Sequence, residues 1–257
     1  MNYMQFGLFC FFVFSVFISG VGFYTLLDRA RKSLLNRFIF LGEVLLIGGI
    51  WVVGQFLLLS LLGLYSSFYL VAATGINYLF LLNKNTRTAI FDLFCKKVSF
   101  DFPLILFAGL LGVFIIRNCY FMIAADSITT YLFIQKLWLA KGSSLVGSIG
   151  HDLRVFIPHF DIVPSALGLS IFEGGLLFPQ MVSFFWRFIV VLLVFGYTSF
   201  RLNRYCGLAA VMLILFDIHF FYSGVNQWVL INGALVAFLF AAAYNFWQAR
   251  AQESEFR

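Results

Sequence analysis

The stretch from Phe38 to Leu82 most constrains the fold, because it runs for 45 residues with Glu43 as its only charged residue. A membrane crossing takes about 20 residues of helix, so the stretch is too long for one span. Gly63, Ser66 and Ser67 predict a turn that divides it into two helices. Of all 257 residues, 62% are hydrophobic and only 11% are charged, which no soluble domain of this size matches. We therefore predict a polytopic membrane protein.

The length that a membrane-crossing helix needs, applied to every apolar run, predicts an all-α fold with about seven transmembrane helices. One long extracytoplasmic loop is expected to carry interfacial helices. Residues 1–101 would form three N-terminal spans with cytoplasmic loops, the last of these a polar loop at 83–101. Residues 102–247 would form a core of four spans with the extracytoplasmic loop at 123–178, and residues 248–257 a cytoplasmic tail. The predicted spans are residues 4–27, two within 38–82, 102–122, 177–200, 206–222 and 227–247.

The distribution of basic residues predicts the orientation. The segments after spans one, three, five and seven carry twelve of the seventeen Lys and Arg residues. Because cytoplasmic loops are enriched in Lys and Arg, the N-terminus should face out and the C-terminus in. With basic residues after the first run and none before it, that run is expected to be a span rather than a cleaved signal.

Asp126 is the candidate catalytic residue, because it ends a membrane-length apolar run. Apolar residues after it recur at helical spacing, which predicts an interfacial helix over 127–141 with Tyr131 and Trp138 at headgroup depth and its lysines toward water. A carboxylate at the mouth of a span suits a lipid-linked substrate. Asp is equally an ordinary N-cap residue, so capping of this helix stays open as the alternative.

Other charged residues in the apolar runs are also candidates. Arg187 lies within span five, where an unpaired guanidinium is costly, so it should face the protein interior and meet an acid or a phosphate. Asp217 and His219 lie near the outer end of span six, and together with Arg187 they could join Asp126 around one polar cavity. The alternative is a structural pair between Arg187 and Asp217. Glu43, close to the cytoplasmic end of its span, is interpreted as a snorkelling or helix-pairing acid.

The sequence gives no support to soluble-type hydrolase, zinc or nucleotide chemistry, because it has no CxxC, HExxH, GxSxG or glycine-rich phosphate loop. The four cysteines are dispersed and are interpreted as packing residues. No cofactor is predicted, and dependence on a divalent metal is left open. The net charge of +6 reflects orientation rather than nucleic-acid binding.

A series of short motifs begins at the candidate acid. They are Asp126, Tyr131, the run 136–143, Ile157-Pro-His-Phe160, Ser165-Ala-Leu-Gly168 and Gly174-Gly-Leu-Leu177. In this order and spacing they resemble the first extracytoplasmic loop of GT-C glycosyltransferases. The likeness is to family-39-like bacterial enzymes, relatives of protein O-mannosyltransferases and of the lipid A aminoarabinose transferase, and it covers about residues 102–247.

The resemblance implies a bacterial inner-membrane enzyme that transfers a sugar from a polyprenyl-phosphate donor to a lipid, glycan or protein acceptor outside the cytoplasm. It implies Asp126 as the base or acceptor-orienting carboxylate. His159 matches the family's Pro-His element and would bind acceptor or donor phosphate, with a helix-cap or interface histidine as the alternative. Tyr131 matches the family's Tyr in the first turn and is a candidate substrate-binding residue. Arg154 is a separate candidate: it could hold a donor phosphate, or it could belong to a solvated loop surface. An acid common in the family is replaced at the start of span seven by Asn226-Gln-Trp, and the chain is about half the usual length. A non-catalytic or split subunit with a membrane partner, and a flippase for lipid-linked sugars, therefore remain alternatives.

Overall fold

A computed structural model describes residues 2–27, 37–95, 101–120, 133–143, 163–172, 177–216, 239 and 241–243. Across these ranges the regular structure is entirely helical, as predicted. The helices are α1 Asn2–Leu26, α2 Arg37–Leu61, α3 Ser67–Ile76, α4 Lys84–Cys95, α5 Phe102–Tyr120, α6 Phe133–Lys141, α7 Ser165–Ile171, α8 Leu177–Arg201 and α9 Arg204–Phe216. Helix α3 continues directly into a 3₁₀ segment, Asn77–Leu82.

Three of the described helices are long and apolar enough to cross a membrane. They are Tyr3–Leu26, Arg37–Leu61 and Leu177–Arg201, and the prediction of a helical membrane protein is confirmed at this level. Large apolar side chains such as Phe6, Phe14 and Leu58 are exposed along the first two. A helix that is apolar on every side suits a hydrocarbon environment outside and a packed bundle inside. The count of seven spans and the orientation stay predictions.

Helices α1 and α2 pack closely through glycines. An added Cβ at Gly48 would lie 1.9 Å from the carbonyl oxygen of Val16, and one at Gly20 would lie 2.0 Å from that of Val44. Position 16 therefore meets position 48, whereas position 20 meets position 44, so the two helices run antiparallel. Small residues at such a crossing let the two backbones approach each other, which is how helices associate in lipid.

Helix α8 lies at the centre of the bundle and is its most buried span. Gly42 of α2 packs on Leu193, and Gly49 packs on Trp186, so α8 is antiparallel to α2. On another side, Phe12 of α1 contacts the ring of Phe185 edge to face at a centroid distance of 5.7 Å. Helices α1 and α8 thus run in the same direction, and both are antiparallel to α2.

Helices α5 and α9 pack on the C-terminal half of α8. The ring of Phe107 stacks on that of Phe195, with centroids 3.9 Å apart and an interplanar angle of 10°. Gly207 of α9 lies against Ser199, where a Cβ would come within 2.1 Å of its hydroxyl oxygen. The N-termini of α5 and α9 therefore meet the C-terminus of α8 at one end of the bundle. We call this the basic end, because it carries Arg37, Lys84, Arg87, Arg201 and Arg204.

Two local predictions between Phe38 and Asp101 have different outcomes. The turn between spans two and three is confirmed, and Gly63 adopts a φ of 74°, which favours glycine. The polar segment at 83–101 was predicted as a loop, but the structure has helix α4 over Lys84–Cys95. Thr86, Ala89 and Leu93 recur at helical spacing and are buried on the face that packs on α1, but the many polar residues of the segment concealed this pattern.

Candidate functional site

Most of the predicted site residues lie outside the described residues. They are Asp126, Tyr131, Arg154, His159, Asp217 and His219. Their gathering around one cavity therefore stays a prediction. Arg187 is the predicted site residue that falls within the described part of the chain.

Arg187 lies inside the bundle, with 2% of its surface exposed. It comes ten residues after Leu177, the first residue of α8, which places it about 15 Å along a helix that crosses the membrane. The prediction that it faces the protein interior is confirmed. Because a guanidinium is costly at this depth, Arg187 is expected to meet an acid or a phosphate, and this part of the expectation stays a prediction.

The end of the bundle opposite the basic end is covered by α6 and α7, and Tyr65 fastens them to the turn between α2 and α3. The Tyr65 hydroxyl donates to Oε1 of Gln135 at 2.8 Å and lies 3.4 Å from the carbonyl oxygen of Val163. Its backbone N–H donates to the carbonyl oxygen of Gly142 at 2.9 Å. Burial raises the pKa of Tyr65, so this phenol stays a hydrogen-bond donor. We call this arrangement the tyrosine cap.

The orientation of α6 agrees only in part with the sequence prediction. Lys136 and Lys141 are exposed, as predicted. Trp138, which belongs to the predicted apolar face, is 2% exposed and packs against Tyr65 with ring centroids 6.0 Å apart, so its ring contacts protein rather than lipid. Its depth relative to the headgroups stays a prediction, and the part of the predicted helix before Phe133 lies outside the described residues. Periodicity alone does not distinguish a lipid-facing stripe from a protein-facing one.

Glu43 forms a second polar site that the sequence indicated only in part. Its Oε1 accepts a 2.7 Å hydrogen bond from the Tyr197 hydroxyl on α8, and its Oε2 accepts one from the Tyr24 hydroxyl on α1. Glu43 is 7% exposed, which excludes snorkelling and supports the helix-pairing interpretation. The carboxyl group thus links three membrane-crossing helices.

We expect Glu43→Leu to lower the free energy of unfolding by about 2 kcal/mol, because it removes the acceptors of two buried phenol groups. The measurement is titration with sodium dodecyl sulfate in mixed micelles. The triple variant with Tyr24→Phe and Tyr197→Phe should recover most of this loss, since no phenol is then left without its acceptor. A triple variant less stable than Glu43→Leu alone would contradict this account.

A third polar cluster lies where α3 changes to the 3₁₀ segment. Asn77 and Gln55 exchange two amide hydrogen bonds of 3.0 and 3.1 Å. Asn77 also donates to the Ser15 hydroxyl at 2.9 Å and accepts from the Trp51 indole at 2.9 Å. The helix type changes here without a glycine at position 77. A 3₁₀ stretch inside a longer helical segment often marks a hinge.

Asp101 and Arg204 form an ion pair at the basic end, with 2.6 Å between Oδ2 and Nη1. Partial desolvation acts to raise the pKa of Asp101, but the Arg204 hydrogen bond and charge and the Leu104 N–H outweigh it, so this pKa lies below its usual value. The pair is therefore intact above the usual pKa of Asp and is lost only as the pH falls through the lowered one. Within the described ranges no three His, Cys, Asp or Glu residues are grouped to hold a metal.

The fold, with three membrane-length helices around buried polar clusters, defines the class as a helical membrane protein. No protein-family model, curated protein or solved structure matches the chain.

Proposed function

We propose that this protein is a membrane glycosyltransferase that moves a sugar from a polyprenyl-phosphate donor to an acceptor on the extracytoplasmic side of a bacterial cytoplasmic membrane. The proposed orientation has the N-terminus out and the C-terminus in, which places the basic end in the cytoplasm. Asp126 is the proposed catalytic carboxylate.

The burial of Arg187 is the observation that carries this proposal. A guanidinium in the most buried span, about 15 Å from the start of its helix, suits an anionic ligand. A phosphate of a lipid-linked donor is such a ligand, because the planar guanidinium binds two phosphate oxygens at once. His159, Arg154, Asp217 and His219 are proposed to complete the polar cavity around the donor and acceptor.

The tyrosine cap gives the proposal a second support. Helix α6 belongs to the loop that carries Asp126, and Gln135 and Gly142 fasten it to the turn after α2. The hydroxyl of Ser143 also donates to the carbonyl oxygen of Ser60 at 2.8 Å. A catalytic acid must be held within hydrogen-bonding reach of its substrate, and a loop fastened at several points meets that need.

A second candidate is a flippase for lipid-linked sugars. The change of α3 to 3₁₀ geometry at Asn77, together with the buried amide pair, favours it. Transporters use broken helices whose freed polar groups face partners inside the protein. In this structure Asn77 joins α1, α2 and the broken segment, so a hinge here would move one span against two others.

One experiment separates these functions. The full chain is reconstituted in vesicles with a radiolabelled polyprenyl-phosphate sugar and an acceptor extract from the membrane fraction. A new labelled product supports the transferase. Movement of the labelled lipid between leaflets without a new product overturns it in favour of the flippase. If neither occurs, both proposals fail, and copurification with a larger membrane protein would identify a non-catalytic subunit.

A further inference from the structure

Helix α4 has one face packed on protein. Thr86, Ala89 and Leu93 are buried, and at about 100° per residue they form one stripe along the helix. This stripe packs on α1, where the hydroxyl oxygens of Thr86 and Thr25 lie 3.1 Å apart. The rest of the helix surface is therefore available to something other than this chain's described residues.

One exposed flank of α4 is aromatic. Phe91 and Phe94 are 66% and 71% exposed. Viewed down the helix axis, Arg87 lies between them. Phe94 contacts the ring of Phe17 edge to face at 6.2 Å. Phe17 comes nine residues before the end of the membrane-crossing α1, so the aromatic flank reaches the depth of the acyl chains.

The other exposed flank of α4 is polar. It carries Lys84, Asn85, Thr88 and Asp92, so the helix presents protein-facing, apolar and polar surfaces in turn. Lys84 and Arg87 both lie in its first turn, at the basic end of the bundle. A helix with aromatic residues on one flank and basic residues at its border suits the boundary between acyl chains and headgroups.

We propose that α4 runs along α1 from the headgroup level into the acyl-chain layer and binds anionic phospholipid headgroups through Lys84 and Arg87 in its first turn, with Phe91 and Phe94 among the acyl chains. Charge complementarity selects this occupant, because positive charge at the basic end borders an apolar flank at acyl-chain depth. Arg87 lies one turn nearer the basic end than Phe91, and its long side chain extends toward the phosphate level. This inference is independent of the proposed sugar transfer.

The position of α4 is tested first, with spin labels on the full chain in vesicles. In a background with all four cysteines replaced by serine, labels are placed through Phe91→Cys, Phe94→Cys, Asn85→Cys or Thr88→Cys. Labels at 91 and 94 should collide with dissolved oxygen, which concentrates in acyl chains. Labels at 85 and 88 should collide instead with a water-soluble nickel complex. Nickel access at 91 and 94 equal to that at 85 and 88 would overturn the proposal and indicate a protein partner.

The headgroup is tested by titrating phosphatidylglycerol or phosphatidylcholine into detergent micelles and following the mobility of the label at position 91. Each basic residue near anionic lipid contributes about fivefold in affinity, so Lys84→Gln with Arg87→Gln should weaken phosphatidylglycerol binding roughly thirtyfold. The exchange of Lys84→Arg with Arg87→Lys should preserve it, and so should Lys136→Gln at the opposite end. Equal binding of phosphatidylcholine, or a double variant that binds like the native chain, would overturn the proposal.

Discussion

Replacing Gly48 with alanine should lower the free energy of unfolding by more than about 3 kcal/mol, at or beyond the upper end of the usual cost of overpacking. The new Cβ would lie 1.9 Å from the carbonyl oxygen of Val16 and 3.0 Å from the backbone nitrogen of Gly20. Both atoms belong to the backbone of α1, so no side-chain rotation relieves the clash and the two helices must move apart. The measurement is unfolding by sodium dodecyl sulfate in mixed micelles.

Helix α2 supplies a matched control in Gly54. A Cβ added there would meet no atom within 4 Å. Gly54→Ala should therefore be neutral, or stabilise by up to about 1 kcal/mol, because alanine is the better helix former. Gly20→Ala should destabilise as Gly48→Ala does, and the double variant should cost less than the sum, since both changes separate the same pair of helices. Equal stability of the Gly48→Ala and Gly54→Ala variants would contradict close packing of α1 on α2.

The glycines of α2 mark the limit of what the sequence predicts about this bundle. Apolar runs and the turn at Gly63 define helix boundaries, because those boundaries depend on hydrocarbon thickness and local backbone conformation. Gly48 and Gly54 look alike in the sequence, although one is a backbone contact and the other faces open space. Which glycine meets a partner depends on how a second helix crosses, and periodicity within one helix carries no such information.

For the polar residues too, the sequence predicts what depends on one helix and its depth, but not which residues of other helices they contact. Burial of Arg187 was predictable, because the cost of a charge in lipid depends only on depth. The contact between Tyr65 and Gln135 was not, since it joins residues 70 positions apart. Glu43 is an intermediate case: its short distance from the helix end allowed both snorkelling and helix pairing, and only the positions of Tyr24 and Tyr197 decide between them.

Asp126→Asn should reduce sugar transfer by about 10²-fold to 10⁴-fold, because an amide cannot take the proton of an acceptor hydroxyl as the glycosidic bond forms. Asn caps a helix about as well as Asp, so a capping role predicts no loss of transfer and no loss of stability. The measurement is the initial rate of labelled product formation in reconstituted vesicles, alongside the unfolding titration. The substitution therefore separates the two roles that the sequence left open for Asp126.

Asp92→Asn is the matched control, because it removes a carboxylate of the same length from α4, away from the proposed cavity. It should leave the transfer rate unchanged, which shows that loss of one negative charge from the chain is not itself inhibitory. If the Asp126→Asn variant folds and transfers sugar at near the native rate, Asp126 is a helix cap. The catalytic acid must then be sought at Asp152, Asp161 or Asp217, the other aspartates of the predicted extracytoplasmic side, and the same substitution to Asn at each would identify it.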